Sequence, residues 1–165
     1  MSEGSELTVV AFQARQIEKA AKIMAHFVES TREDRLRWRP STEPGSQTRS
    51  VMELVGECIF ANRRFLSFLH GGPIIKSPEN LDLYESVNEA TSALKVSADE
   101  LAAEIRKLQA QDLDRVITTH RGPMPLALAI QFPLRNMTYH MGQINMIQLL
   151  YGDTEFHVTE EFVTL

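Results

Sequence analysis

His140 is the residue on which chemistry in this sequence would turn. It lies in Asn136-Met137-Thr138-Tyr139-His140-Met141-Gly142-Gln143-Ile144, where apolar residues recur with the helical period, and it occupies a position in the apolar stripe itself. Asn136 comes one turn earlier and Gln143 about one turn later, so the three polar side chains project from one side of a helix. Polar groups placed where a helix wants hydrocarbon need partners, because each unpaired burial costs roughly a few kcal/mol. A second candidate is Glu57, in the helical stretch containing Cys58, Asn62 and Arg64. A carboxylate facing His140 would fix the imidazole tautomer, raise its pKa or share a metal with it.

Each of these residues also has a plainer reading. His140 reads equally as a hydrogen-bonded core histidine, and Glu57 as a solvated helix flank. Asn136 and Gln143 read as residues that orient His140 or join helices. Cys58 reads as a small core hydrophobe. Trp38 reads as a packing anchor or as the wall of a ligand pocket. His26, His70, His120 and His157 fall off the apolar seams or in loops, which marks them as surface residues.

Four helical stretches would have to position this cluster. The first runs from about Leu7 to about Leu36, with a stripe through Ile17, Met24 and Phe27 or Val28. Arg39-Pro40-Ser41-Thr42-Glu43-Pro44-Gly45-Ser46 then reads as a loop. The second helix spans about Arg49 to His70, capped by Thr48 or Ser50 and stopped by Gly71-Gly72-Pro73. A turn-rich connection leads to the third, from about Leu83 to about Gln111. Arg115 to Thr119 is a β-branched run that reads as a short strand or an extended crossing, and Gly122-Pro123-Met124-Pro125 marks a break. The fourth helix covers about Pro125 to Tyr151. Within it Pro133 cannot donate to the carbonyl of Ala129, which predicts a kink or a freed carbonyl before Asn136. Amphipathic helices of this length are marginal alone, so their seams must pack together as an all-α four-helix bundle.

The 165 residues suit one domain, 1–165, with room for a core of its own. A net charge of −5, with basic residues scattered among acidic ones, argues against a phosphate-tracking face and hence against nucleic acid. Cys58 is the only cysteine, which excludes an internal disulfide and a cysteine-cluster metal site. The opening Met-Ser-Glu-Gly-Ser-Glu has no signal-peptide character, and no apolar run is long enough for a bilayer. The expected setting is the cytoplasm, without a membrane partner.

Three segments resemble the DinB superfamily of DinB/YfiT-like metalloenzymes. They are Asp34 to Pro40 after helix one, Ser50-Val51-Met52-Glu53-Leu54-Val55-Gly56-Glu57 opening helix two, and Asn136 to Ile144 followed by Leu150-Tyr151-Gly152 in helix four. The resemblance implies an up-down-down-up bundle with a long crossover between helices two and three, and a homodimer. It also implies a metal site of three histidines, one on helix two and two on helix four, and in some relatives transferase or isomerase activity with thiols such as mycothiol or bacillithiol. Residue by residue, His140 matches the second helix-four ligand, whereas the first falls on Asn136 and the helix-two ligand on Glu57. The implied metal set is therefore Glu57, Asn136 and His140. It suits zinc or nickel less well than three imidazoles, so loss of the metal is the leading expectation.

Three readings follow. A divalent ion on Glu57 and His140 would activate water or a thiol. Without a metal, His140 would be a general base oriented by Glu57, with Asn136, Gln143 and Trp38 around a small-molecule substrate. In the third reading the cluster belongs to a non-catalytic binding or structural bundle, kept for specificity.

Overall fold

The computed structural model describes residues 8–164. Its long helices are α1 (Val9–Glu29), α2 (Val51–Leu69), α3 (Val87–Arg106) and, after a short α4 (Leu126–Ala129), α5 (Phe132–Leu150). Between α3 and α4 lies an antiparallel hairpin of β1 (Val116–Thr119) and β2 (Gly122–Pro125), with Thr119 opposite Gly122. The chain is an all-α four-helix bundle with this small hairpin added.

The first three helices start at hydroxyl caps, which satisfy amides that have no partner in the first turn. Thr8 accepts from the Ala11 amide, Ser50 from Glu53 and Ser86 from Glu89. At Ser50 the cap is reciprocal: Glu53 Oε2 accepts from the Ser50 amide at 2.9 Å. The Glu53 carboxylate is also paired with the Arg39 guanidinium, which ties the preceding loop to the start of α2.

Pairs of residues fix the directions of the helices. Glu18 of α1 meets Arg106 of α3, whereas Asn62 of α2 bonds Ser97 and His70 meets Glu104 farther along both chains. Hence α1 and α3 are antiparallel, and α2 and α3 are parallel. On α5, Gln148 donates to the Phe27 carbonyl near the end of α1, while Phe65 of α2 stacks on Phe132 at the start of α5. The order is up-down-down-up, and parallel α2 and α3 require the long crossover of residues 70–86. Both α1 and α2 pack against α3 and α5. One hydrophobic cluster runs between them, through Ile17, Met24, Met52, Ile59, Leu94, Leu101, Met137 and Ile144.

The crossover lies close over α2. A Cβ on Gly56 would collide with the carbonyl oxygen of Leu81, so only glycine lets the loop pass there. This fixes the backbone one residue before Glu57.

Several sequence expectations are corrected. The first helix ends at Glu29, not near Leu36, and a short 3-10 turn at Glu33–Arg35 follows. The third ends at Arg106, short of Gln111. Gly122 to Pro125 is a strand and not merely a break. The fourth helix is interrupted at Ile130 and Gln131, with Pro133 in the first turn of α5, where its missing N–H costs nothing. The loosened carbonyls find side chains: Gln13 Nε2 donates to Ile130 at 3.0 Å and Gln131 Nε2 to Ala127 at 2.8 Å. His26 and His157 are half-buried rather than surface residues. The C-terminal segment folds back on α1, placing Phe156 against Phe27 and His157 on Asp153 at 2.8 Å.

Candidate functional site

α5 carries His140 on its inner face, where the side chain is 5% exposed. Gln143, three residues on, places Oε1 2.6 Å from His140 Nδ1. A carbonyl oxygen there accepts, so Nδ1 carries the proton and Nε2 keeps its lone pair. Nε2 faces α2, with Oε2 of Glu57 3.5 Å away. The antiparallel neighbours α2 and α5 thus bring together two residues that the sequence had only nominated. The Tyr139 ring packs edge-on against the imidazole at 5.2 Å.

Arg49 completes the cluster. It sits just ahead of the Ser50 cap, and its guanidinium pairs with Oε2 of Glu57, the same oxygen that faces His140. The consequence is electrostatic. Burial pushes the imidazole pKa below its ordinary value, the Arg49 charge pushes it the same way, and the bond His140 donates to Gln143 opposes them without prevailing. A carboxylate acting alone would have raised it. Glu57 already has a cation, so burial decides the direction of the shift.

Two cavities meet at Glu57. The larger, about 450 Å³, is lined by Arg49, Leu54, Glu57, His140, Gln143 and Met146 among others. The smaller, about 280 Å³, lies between α2, the hairpin and the start of α5, and Asn136 opens on that one. Asn136 Oδ1 is buried without a hydrogen-bond partner. The fold therefore separates Asn136 from the His140 cavity while Glu57 touches both.

Trp38 lines neither of these two cavities. It packs on the core with the Arg35 guanidinium 5.3 Å from its ring. Cys58 is fully buried and burial drives its thiol pKa far up, which leaves it inert. His120 is exposed, as expected for a surface residue, and it also lines the smaller cavity and stacks on Phe68 at 6.0 Å. Arg49 and His120 are the residues that sequence reading missed. Arg49 lies just ahead of the α2 cap and His120 in the hairpin turn, where only tertiary structure sets their neighbours.

The three-donor set implied by resemblance does not fit a zinc or nickel ion. Among the described residues no group of three His, Cys, Asp or Glu is placed to hold a metal. Asn136 offers only a neutral amide oxygen, and the Glu57 oxygen nearest His140 already carries a guanidinium. A divalent cation would have to displace Arg49 and accept one strong nitrogen donor where such sites use several.

Comparison with known proteins places the chain. The sequence model of the DinB superfamily matches residues 16–144. The chain belongs to the DinB superfamily. No curated protein sequence matches it. The fold resembles the crystal structure of a DinB-like protein from Bacillus subtilis, with a TM-score of 0.63 over 90% of this chain and 99% of that one. Identity between the two is 15%, so that likeness speaks to the DinB fold alone. Within the described residues no helix is long and apolar enough to cross a membrane.

Proposed function

We propose that this DinB-superfamily chain is a metal-independent small-molecule protein in which His140 accepts a proton from a bound thiol or hydroxyl. The observation that carries the reading is the Arg49 guanidinium on Glu57 Oε2, beside the unprotonated Nε2 of His140. The guanidinium supplies fixed positive charge next to the base. A ligand S–H in the larger cavity gives its proton to Nε2, and the thiolate that remains is stabilised by Arg49. Glu57 holds that guanidinium in place. A neutral base near physiological pH suits such a transfer, because it starts unprotonated and needs no prior deprotonation.

The reaction class that uses a thiolate in this way is a thiol-dependent transferase or isomerase, for which a reducing cytoplasm supplies the thiol. A homodimer belongs to the same proposal, supported by the exposed apolar side chains of Tyr139, Met146 and Leu150 around the cavity mouth. Light scattering on the purified protein reads that state directly.

The test compares N-acetylcysteine with its S-methyl derivative by calorimetry at pH 8. The thiol should bind at least about tenfold more tightly, and His140→Gln should erase the difference. Equal affinities in the wild-type protein would remove the proton-accepting role. Non-catalytic binding is the second reading, favoured by the 5% exposure of His140. It gains if both compounds bind equally and His140→Leu changes neither affinity.

A further inference from the structure

We propose that the smaller cavity binds a small organic carboxylate with an apolar body, a site distinct from the His140 cavity on the far side of Glu57. Arg64 of α2 and Arg121 of the hairpin turn both line it, together with His120. Neither guanidinium pairs with a carboxylate among the described residues. Each is held against an aromatic ring instead: Arg64 lies 4.2 Å from the Phe60 centroid and Arg121 5.8 Å from that of Phe132. Arg64 Nε donates to the Ile75 carbonyl at 3.0 Å, which fixes the plane of the guanidinium and leaves its terminal N–H groups without an acceptor among the described residues.

The charge around this cavity is therefore uncompensated. Burial lowers the Arg64 pKa, and burial followed by the two guanidinium charges lowers that of His120. The one carboxylate on the wall, Glu57, is already paired with Arg49. An anion with two coplanar oxygens matches a guanidinium fork and would relieve that field. The walls choose the rest of the ligand. Phe65 and Phe132 are stacked 5.9 Å apart, and Met124 lines the same space, which favours a flat apolar body over a bare inorganic anion. Asn136 Oδ1, buried and unpartnered, leaves an acceptor for a donor on that body.

Benzoate, benzyl alcohol and inorganic phosphate are the probes, titrated into the full chain by calorimetry or by NMR shifts of the His120 ring. Benzoate should bind saturably and about tenfold more tightly than benzyl alcohol, which has the body without the charge, and more tightly than phosphate, which has the charge without the body. Arg64→Gln and Arg121→Gln should each weaken benzoate about tenfold, and raised salt should weaken it further. Arg135→Gln removes an exposed positive charge elsewhere and should change nothing. Arg121 is exposed, so its variant keeps the test valid even if Arg64→Gln perturbs folding. Absence of saturable benzoate binding overturns the proposal. So do equal affinities for benzoate and benzyl alcohol, tighter binding of phosphate than of benzoate, or unchanged binding in Arg121→Gln.

Discussion

At the scale of single residues the site depends on which cation Glu57 holds. A guanidinium and a divalent ion compete for the same carboxylate oxygen, and in this chain Arg49 has it. Changing three residues should reverse the outcome. The variant Arg49→Gln, Glu57→His, Asn136→His supplies imidazoles at the positions that match the family's ligands and removes the competing charge. It should take up zinc and gain thermal stability with it, by about 2.7 kcal/mol at a hundredfold excess over the dissociation constant. The check is a thermal melt with and without zinc, and no shift would show that imidazoles alone do not rebuild the site. His140 and Gln143 were legible in sequence, because a polar residue in an apolar helical stripe with a partner three positions on is a local pattern. Arg49 was not. It precedes the helix, and its partner is set by where the loop delivers it.

The elements carry their own tests. Gly56 lies under the Leu81 carbonyl, so Gly56→Ala must push the crossover away from α2. The cost should be about 1–3 kcal/mol, the usual penalty for overpacking, read as a lower urea midpoint with unchanged slope. The cap of α2 should respond to acid. Burial pushes the Glu53 pKa up, but the bonds from Arg39 and Ser50 outweigh it and the net shift is downward. A carboxyl with a lowered folded pKa contributes stability above its unfolded value of about 4.3, and that contribution is lost as pH falls through the folded value. Glu53→Gln should therefore be less stable than wild type at pH 7, with the gap closing as pH falls through the lowered folded-state pKa. A constant gap would show that the pairing with Arg39 does not matter. Helix positions were readable from period and caps, as Ser50 and the seam of α5 show. The break at Ile130 was foreshadowed by Pro133. The side chains that close it were not, because Gln13 reaches it from another helix.

For the whole molecule, the up-down-down-up order does the positioning. It sets α2 antiparallel to α5, so that Glu57 comes opposite His140, and the hairpin then encloses a second cavity on the other side of Glu57. The bundle and its order followed from helix count, seams and resemblance. The division into two cavities did not, because Asn136 and His140 share a helix side in sequence yet open on different spaces once the neighbours are in place. Metal independence is the property on which the reading of the site rests. Purified wild-type protein should be titrated with zinc, nickel and manganese, with elemental analysis before and after dialysis. The expected result is no stoichiometric metal and no rise in melting temperature. One equivalent of tightly held metal that disappears in His140→Ala would contradict it.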